Sequence, residues 1–159
     1  MKVLAVDPGY DRLGVAVLEL VNGKELLHYS TCIESDKSTP LQERLKFVGD
    51  KFQALLVEYI PDTVAIETLF FNQNVSTAIG VAQARGIISY LAQLGGCKVY
   101  EFGPQEIKVA VTGHGGSDKK AVIDMVRRLV PQAPQKALDD EYDAIAVGIT
   151  CLAVHGRTR

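Results

Sequence analysis

The dipeptide Asn22-Gly23 constrains the fold of this chain most, because it stands between two runs that are typical of β-strands. Asn-Gly is the strongest short signal for a tight hairpin. The flanking runs, Leu13–Val21 and Leu26–Ile33, are therefore expected to pair antiparallel. An earlier apolar run, Lys2–Val6, ends at the turn sequence Asp7-Pro8-Gly9. Because these connections are too short for crossovers, the three strands are predicted to be antiparallel neighbours.

Helical and strand-like patterns alternate in the rest of the chain. Thr39 and Pro40 suit the N-cap and first position of a helix that Pro61 ends. The further predicted elements are a strand at Thr63–Glu67, a helix at Val75–Leu94, a strand at Lys98–Phe102, a short helix from Pro104, a helix from Ser117 as N-cap to about Val130, and a helix from Asp139. This order predicts an α/β fold in which a mixed five-stranded sheet carries helices on both faces. The helix at Val75–Leu94 is apolar nearly all round, which places it either under the sheet or in a subunit interface.

Length and composition favour a single domain covering residues 1–159. Of the 159 residues, 47% are hydrophobic and 23% are charged, which suffices for one buried core and excludes a disordered chain. No apolar run reaches about 18 uncharged residues, so no membrane association is expected. The three cysteines are odd in number and have no metal-site spacing, which indicates reduced thiols in a cytoplasmic protein.

The overall charge is unusual for a protein that binds nucleic acid. The chain carries a net charge of −2 and has a pI near 5.9, whereas such proteins usually have a basic excess. Residues 105–136 are different, with six cationic and three acidic side chains. This local excess indicates either a solvated helix face or a surface for a phosphate backbone.

Four carboxylates occupy positions where functional sites form. Asp7 and Glu67 each end a buried strand, and the carboxyl edge of an α/β sheet is where sites gather. Asp140 and Asp143 are three residues apart on a helix and so share a face. Asp7 alone also suits a turn, and acids at a helix start also suit the helix dipole. If the four lie together, their repulsion requires protons or cations, and oxygen ligands of this kind suit Mg²⁺ or Mn²⁺.

Three motifs closely resemble those of the RuvC Holliday junction resolvases, in order and over the whole chain. They are Asp7-Pro8-Gly9 with Gly14, Glu67-Thr68-Leu69-Phe70-Phe71-Asn72 leading to Gln83-Ala84-Arg85-Gly86, and Asp140-Glu141-Tyr142-Asp143-Ala144-Ile145-Ala146. The second is the most specific. The resemblance implies a ribonuclease-H-like fold, which agrees with the predicted order of strands and helices. It further implies a metal-dependent endonuclease that nicks two opposing strands of a four-way junction symmetrically during recombination and repair.

The resemblance also implies roles for individual residues. Asp7, Glu67, Asp140 and Asp143 match the family's metal-binding catalytic acids. The lysines that match those near the cleaved backbone are Lys108 and Lys119. Phe70 matches an aromatic residue that stacks on a base near the junction point, whereas Phe71 also suits core packing. The full set expected to contact DNA is Phe70, Phe71, Asn72, Arg85, Lys108, Lys119 and Lys120.

Cofactor and partners follow from the same resemblance. Two Mg²⁺ ions per active site are expected, with Mn²⁺ as an alternative, because paired ions activate water and stabilise the leaving oxygen. A homodimer is expected because a junction has two equivalent strands to cut. The family works with the branch-migration proteins RuvA and RuvB, so these are implied partners.

This chain departs from the commoner family pattern at two places. Glu141 and Tyr142 replace small residues between the last two acids, and they are expected to add bulk and negative charge beside the site. Cys151 stands where a His often follows Ile-Thr, and we expect it to affect packing alone.

Three other functions fit parts of the sequence. The Asp7–Gly14 segment resembles a phosphate loop of actin-like ATPases, but that architecture needs two related halves. A YqgF-like nuclease that processes RNA shares the first acid and lacks the Phe70-to-Gly86 stretch. A catalytically silent junction-binding module is the third, and the presence of all four acids argues against it.

Overall fold

A five-stranded mixed sheet organises the chain, as a computed structural model shows. The structure describes residues 1–68 and 75–156. Its elements, in chain order, are β1 (Lys2–Asp7), β2 (Arg12–Val21), β3 (Lys24–Glu34), α1 (Leu41–Tyr59), β4 (Thr63–Glu67), α2 (Val75–Leu94), β5 (Lys98–Phe102), α3 (Pro104–Thr112), α4 (Lys119–Leu129) and α5 (Asp139–His155). The strand order is β3-β2-β1-β4-β5, so β1 is central.

The pairing of the strands agrees with the sequence pattern. β1 and β2, and β2 and β3, pair antiparallel, and Asn22-Gly23 closes the hairpin with both residues at positive φ. β4 and β5 join on the other side of β1, parallel to it, because long helices connect them to the preceding strands. The mixed sheet predicted from the sequence is confirmed.

Two hydrophobic cores lie on the two faces of this sheet. The first core packs α3, α4 and α5 on one face, with Ile145, Ile149 and Leu152 of α5 fully or almost fully buried. The second packs α1 and α2 on the other face, where Phe52 and Ile88 are fully buried. Helices therefore cover both faces, as predicted. In the described residues, none of the helices is both long enough and apolar enough for a membrane span.

Two predicted helix starts are wrong by one residue. α1 begins at Leu41 with Pro40 as its N-cap, and the Thr39 hydroxyl instead donates to the carbonyl oxygen of Asp36. The N-cap of α4 is Asp118, whose carboxylate accepts a hydrogen bond from the backbone N–H of Ala121 at 2.8 Å. An aspartate satisfies the free N–H groups of a first turn as well as a serine does, so the sequence did not separate the two positions.

Candidate active site

Asp7 and Glu67 lie side by side at the carboxyl edge of the sheet. β1 and β4 run parallel with Val6 opposite Ile66, and each strand ends on the following acid. The residues before both acids are fully buried, so the chain cannot move these carboxylates without disturbing the core. The sheet therefore fixes two of the four predicted acids next to each other.

The N-terminus of α5 brings the other two acids to the same edge. Asp140 and Asp143 lie in its first turns, and the helix crosses β1 and β2. Its approach depends on Gly14 of β2, opposite Asp7 in the ladder, because a Cβ on Gly14 would lie 1.9 Å from the carbonyl oxygen of Asp140. A glycine at this position thus allows backbone contact between α5 and the strand beside Asp7.

The four carboxylates interact electrostatically. Burial and the negative charges of Glu67, Asp143 and Asp140 together raise the pKa of Asp7 to about 8, against the opposing effect of Lys119. Burial and the charge of Asp143 raise the pKa of Glu67 to about 7. The pKa of Asp143 is also raised, mainly by burial, although its bond to Lys119 opposes this. Such a group of buried acids requires protons or cations to balance its charge.

A cavity of about 250 Å³ adjoins the acids on the β4 side. It is lined by Glu67 and Asp143 together with both lysines predicted to act near the cleaved backbone, Lys108 and Lys119. The Lys119 ammonium donates a hydrogen bond to the Asp143 carboxylate. Partial burial of Lys119 lowers its pKa, but this hydrogen bond and the nearby carboxylates outweigh burial and raise the pKa above its ordinary value. Lys119 therefore remains charged beside the acids.

A second cation that sequence reasoning missed meets the acids on the β2 side. The guanidinium of Arg12, at the start of β2, lies 3.7 Å from the Asp140 carboxylate and 3.9 Å from that of Glu34. Only the packing of α5 on β2 brings Arg12 to Asp140. The sequence offered one signal for Arg12, its position two residues before Gly14 of the first motif.

The donor set suits hard divalent cations, but the side chains are not gathered around one point. Among residues 1–68 and 75–156, no three His, Cys, Asp or Glu side chains are grouped closely enough to hold a metal ion. Asp143 is engaged by Lys119, and Asp140 is paired with Arg12. The four carboxylates at this edge of the sheet nevertheless provide the oxygen ligands that Mg²⁺ or Mn²⁺ prefers. Two of them, Asp7 and Glu67, have pKa values of about 8 and about 7, and a bound cation would balance their negative charge.

The remaining predicted DNA contacts have different positions. Phe70, Phe71 and Asn72 lie outside the described residues. Lys120 is exposed on α4 next to Lys119. Arg85 on α2 forms an ion pair with Glu101 of β5, so its guanidinium already has an anionic partner.

The expected crowding by Glu141 and Tyr142 is wrong. The Glu141 carboxylate accepts a hydrogen bond from the Ser30 hydroxyl of β3 at 2.6 Å. The ring of Tyr142 is buried in the core beneath α5, and its hydroxyl donates to the carbonyl oxygen of Pro134 at 2.7 Å. Both side chains belong to the packing of α5, because neighbours of Asp140 and Asp143 on a helix point to other faces.

Fold and site together define a class of protein. A mixed five-stranded sheet with carboxylates at its central strand ends is the arrangement of ribonuclease-H-like nucleases. The family model for crossover junction endodeoxyribonuclease RuvC matches residues 3–151, and the chain belongs to this family.

Individual relatives agree with this assignment. The RuvC of Thermosipho melanesiensis is 43% identical over 158 residues, covering 99% of each chain, and that of Brevibacillus brevis is 40% identical, covering 94% of this chain and 90% of its own. The solved structure of Thermus thermophilus RuvC in complex with a Holliday junction substrate is 28% identical, with a TM-score of 0.90 over 97% of this chain and 94% of that chain. The yeast mitochondrial Holliday junction resolvase Ydc2 has a TM-score of 0.71 at 11% identity, covering 95% of this chain and 77% of that chain, and so shares the fold.

Proposed function

We propose that this protein is an endodeoxyribonuclease that resolves Holliday junctions by hydrolysing phosphodiesters in two opposing strands. The observation that carries the proposal is the group of four carboxylates between two cationic cavity walls, one holding Lys108 and Lys119 and the other Arg12. The likeness to a RuvC bound to a Holliday junction supports DNA as the substrate. The alternatives of an ATPase, an RNA-processing nuclease and a silent module have no comparable support.

The proposed metal ligands are Asp7, Glu67, Asp140 and Asp143. When bound, two Mg²⁺ ions, or Mn²⁺ in their place, would supply an activated water and charge stabilisation for the leaving oxygen. The protein's own part is to fix Asp7 and Glu67 by the sheet while α5 presents the two aspartates. Release of Asp143 from Lys119 and of Asp140 from Arg12 frees these carboxylates as ligands and both cations for phosphate.

The lysines act on the phosphate backbone. Lys108 and Lys119 line the same cavity as Glu67 and Asp143, so they face the strand at the reacting group. A fixed ammonium there stabilises negative charge that develops during cleavage. Lys120, exposed on the same helix, adds long-range attraction, while Phe70, Phe71, Asn72 and Arg85 remain predicted DNA contacts.

The protein acts as a homodimer of single-domain chains, residues 1–159, joined through α2. One face of α2 packs Ala84, Ile88 and Ala92 into the core beneath the sheet. The opposite face exposes Ile79, Tyr90 and Leu94, each with 66% of its surface accessible. An apolar exposed stripe on a helix is typical of an interface, and twofold symmetry suits a substrate with two equivalent strands. RuvA and RuvB are the proposed partners in branch migration.

Substrate choice tests this proposal. We would incubate the protein with labelled four-way junctions, linear duplex DNA of the same sequence and RNA hairpins, with Mg²⁺ or EDTA. Cleavage of the junction alone, only with Mg²⁺, is expected, and Asp7→Asn is expected to bind the junction without cutting it. Preference for the RNA hairpin would favour the YqgF-like function, and binding without cleavage by the unaltered protein would favour the silent module.

A further inference from the structure

A second cavity lies beside the acids, on the side opposite Lys108 and Lys119. Its volume is about 410 Å³, and it lies next to Asp140. Its lining includes Tyr10, Asp11, Arg12, Lys37 and Asp140. Because Arg12 begins β2 and Glu67 ends β4, the order β2-β1-β4 places the two cavities on either side of Asp7.

The wall formed by Tyr10 and Asp11 is held rigidly. The Ser35 hydroxyl donates to the carbonyl oxygen of Tyr10 at 2.6 Å, and the Ser35 backbone N–H donates to that of Asp11 at 3.0 Å. Gly80 of α2 leaves room for the Tyr10 ring, since a Cβ there would lie 2.5 Å from it. The shape of this cavity is therefore set by contacts between three segments of the chain.

Arg44 neutralises the acid in this wall. Its guanidinium pairs with the Asp11 carboxylate, donates to the Ser35 hydroxyl at 3.0 Å and lies 5.0 Å from the centre of the Tyr10 ring. The Arg44 side chain is only 11% exposed, so this charge is part of the structure and is not available to a ligand. Because Arg44 already neutralises Asp11, Arg12 and Lys37 are the accessible cations of the cavity.

Arg12 and Lys37 have unused hydrogen-bonding capacity. Arg12 approaches Asp140 and Glu34 at 3.7 and 3.9 Å, and Lys37 approaches Asp11 at 3.9 Å, all longer than hydrogen bonds. The Arg12 side chain is 45% exposed and that of Lys37 is 73% exposed. Ion pairs this long and this exposed add little stability, which leaves both head groups able to donate to a phosphate.

We propose that Arg12 and Lys37 form a phosphate-binding subsite for the DNA backbone, on the Asp140 side of the catalytic carboxylates. This rests on the proposed function. The strand then passes over the acids between two cationic walls, Lys108 and Lys119 on one side and Arg12 and Lys37 on the other. Arg12 is a positioning residue: its guanidinium takes two oxygens of one phosphate, while Lys37 supplies a point charge.

Junction affinity in EDTA, where metal-dependent cleavage cannot proceed, tests the subsite. Fluorescence anisotropy over a salt series would compare the unaltered protein with Arg12→Gln and Lys37→Gln. Each variant is expected to bind the junction about 3- to 10-fold more weakly and to lower the steepness of the salt dependence by about one. Arg12→Lys keeps the charge and is expected to restore the salt dependence. Lys24→Gln, at the far end of the β2–β3 hairpin, is the matched control and is expected to change neither quantity.

The two variants separate a phosphate contact from a simpler effect on Asp140. Removing Arg12 also leaves Asp140 without its cation, which alone repels DNA, whereas Lys37 contacts Asp11 and not Asp140. Weaker binding by Arg12→Gln with unchanged binding by Lys37→Gln would overturn the subsite. Unchanged binding by both, in a protein that binds and cuts junctions, would also overturn it and leave the proposed function intact. Failure of the unaltered protein to bind junctions would remove both.

Discussion

At Asp7, the central acid of the site, the surroundings strongly oppose ionisation of the carboxyl group. Burial of its carboxyl group and the charges of the three other acids raise the pKa of Asp7 to about 8, and the pKa of Glu67 is raised to about 7. In the metal-free folded chain these groups hold protons that the unfolded chain has already released above about pH 4–5. The folded state therefore loses stability as pH rises through this window.

The raised pKa values of Asp7 and Glu67 predict that the stability of the metal-free protein falls as pH rises. In EDTA, the melting temperature should fall by several degrees between about pH 5 and pH 8. Asp7→Asn cannot ionise at that position and should flatten the decline, and Mg²⁺ should raise the melting temperature most at the upper end of the range. The measurement is thermal unfolding by circular dichroism. A melting temperature in EDTA that rises steadily with pH in both proteins would contradict the raised pKa values.

Lys119 offers a test of the difference between catalysis and simple attraction. With the junction fully bound, Lys119→Ala should lower the single-turnover cleavage rate by about 100-fold, because its ammonium stabilises charge that develops at the phosphate. Lys120→Ala, one position along the same exposed turn, should weaken binding and leave this rate nearly unchanged. Equal rates for Lys119→Ala and the unaltered protein would assign Lys119 to binding only.

Gly14 links the packing of α5 to the geometry of the site. Ala at position 14 would place its Cβ against the Asp140 backbone, which cannot move without shifting the helix. We expect Gly14→Ala to lower the free energy of unfolding by about 1–3 kcal/mol and to reduce cleavage sharply. Gly115→Ala is the control, because its Cβ would meet Val109 at an ordinary 3.4 Å. Equal stability and activity for both variants in urea unfolding and junction cleavage would contradict the close contact.

Residue identity alone predicted some of these features and not others. The sequence predicts Asp7 and Glu67 as candidate site residues because each follows a short apolar run that is typical of a buried strand. Arg12 and Gly14 gain their importance from α5, which lies more than a hundred residues away in the chain. Long-range contacts of this kind leave no local pattern, and the same reason made Glu141 appear to crowd the site when Ser30 of β3 binds it.

Among the elements, α2 illustrates where the sequence leaves two interpretations open. Its nearly uniform apolarity fits both burial under the sheet and a subunit interface. In the structure one face is buried, with Ala84 and Ile88 in the core, and the opposite face is exposed with Ile79, Tyr90 and Leu94. The described part of α2 thus supports both interpretations, one for each face.

A charge on the exposed face of α2 tests the proposed dimer. Ala82 is exposed at the flank of this face, next to Ile79 in the adjoining turn, so Ala82→Arg should bury a charge in the interface and shift the protein to monomers in light scattering. Ala153→Arg introduces the same change at an exposed position of α5 and should leave the dimer intact. Dimers of undiminished stability for Ala82→Arg would exclude this face as the interface.

In the whole molecule, the sheet lies between the two hydrophobic cores and holds Asp7 and Glu67 at its carboxyl edge. The parallel strands β1, β4 and β5 have their carboxyl ends at one edge of the sheet, and α5 begins at this edge, where its Asp140 backbone meets Gly14. The chain order of strands and helices was sufficient to predict this architecture. The positions of cations around the acids were not predictable, because they depend on how the two layers pack.

Symmetric cleavage of a junction requires this carboxylate site to act once on each of two opposing strands. The most direct measurement labels each of the four strands of an immobile junction in turn and maps the cuts made with Mg²⁺ on a sequencing gel. We predict cuts at equivalent positions in two opposing strands, and none with Asp7→Asn. Cuts in a single strand, in adjacent strands, or of equal strength with Asp7→Asn would contradict symmetric cleavage by this site.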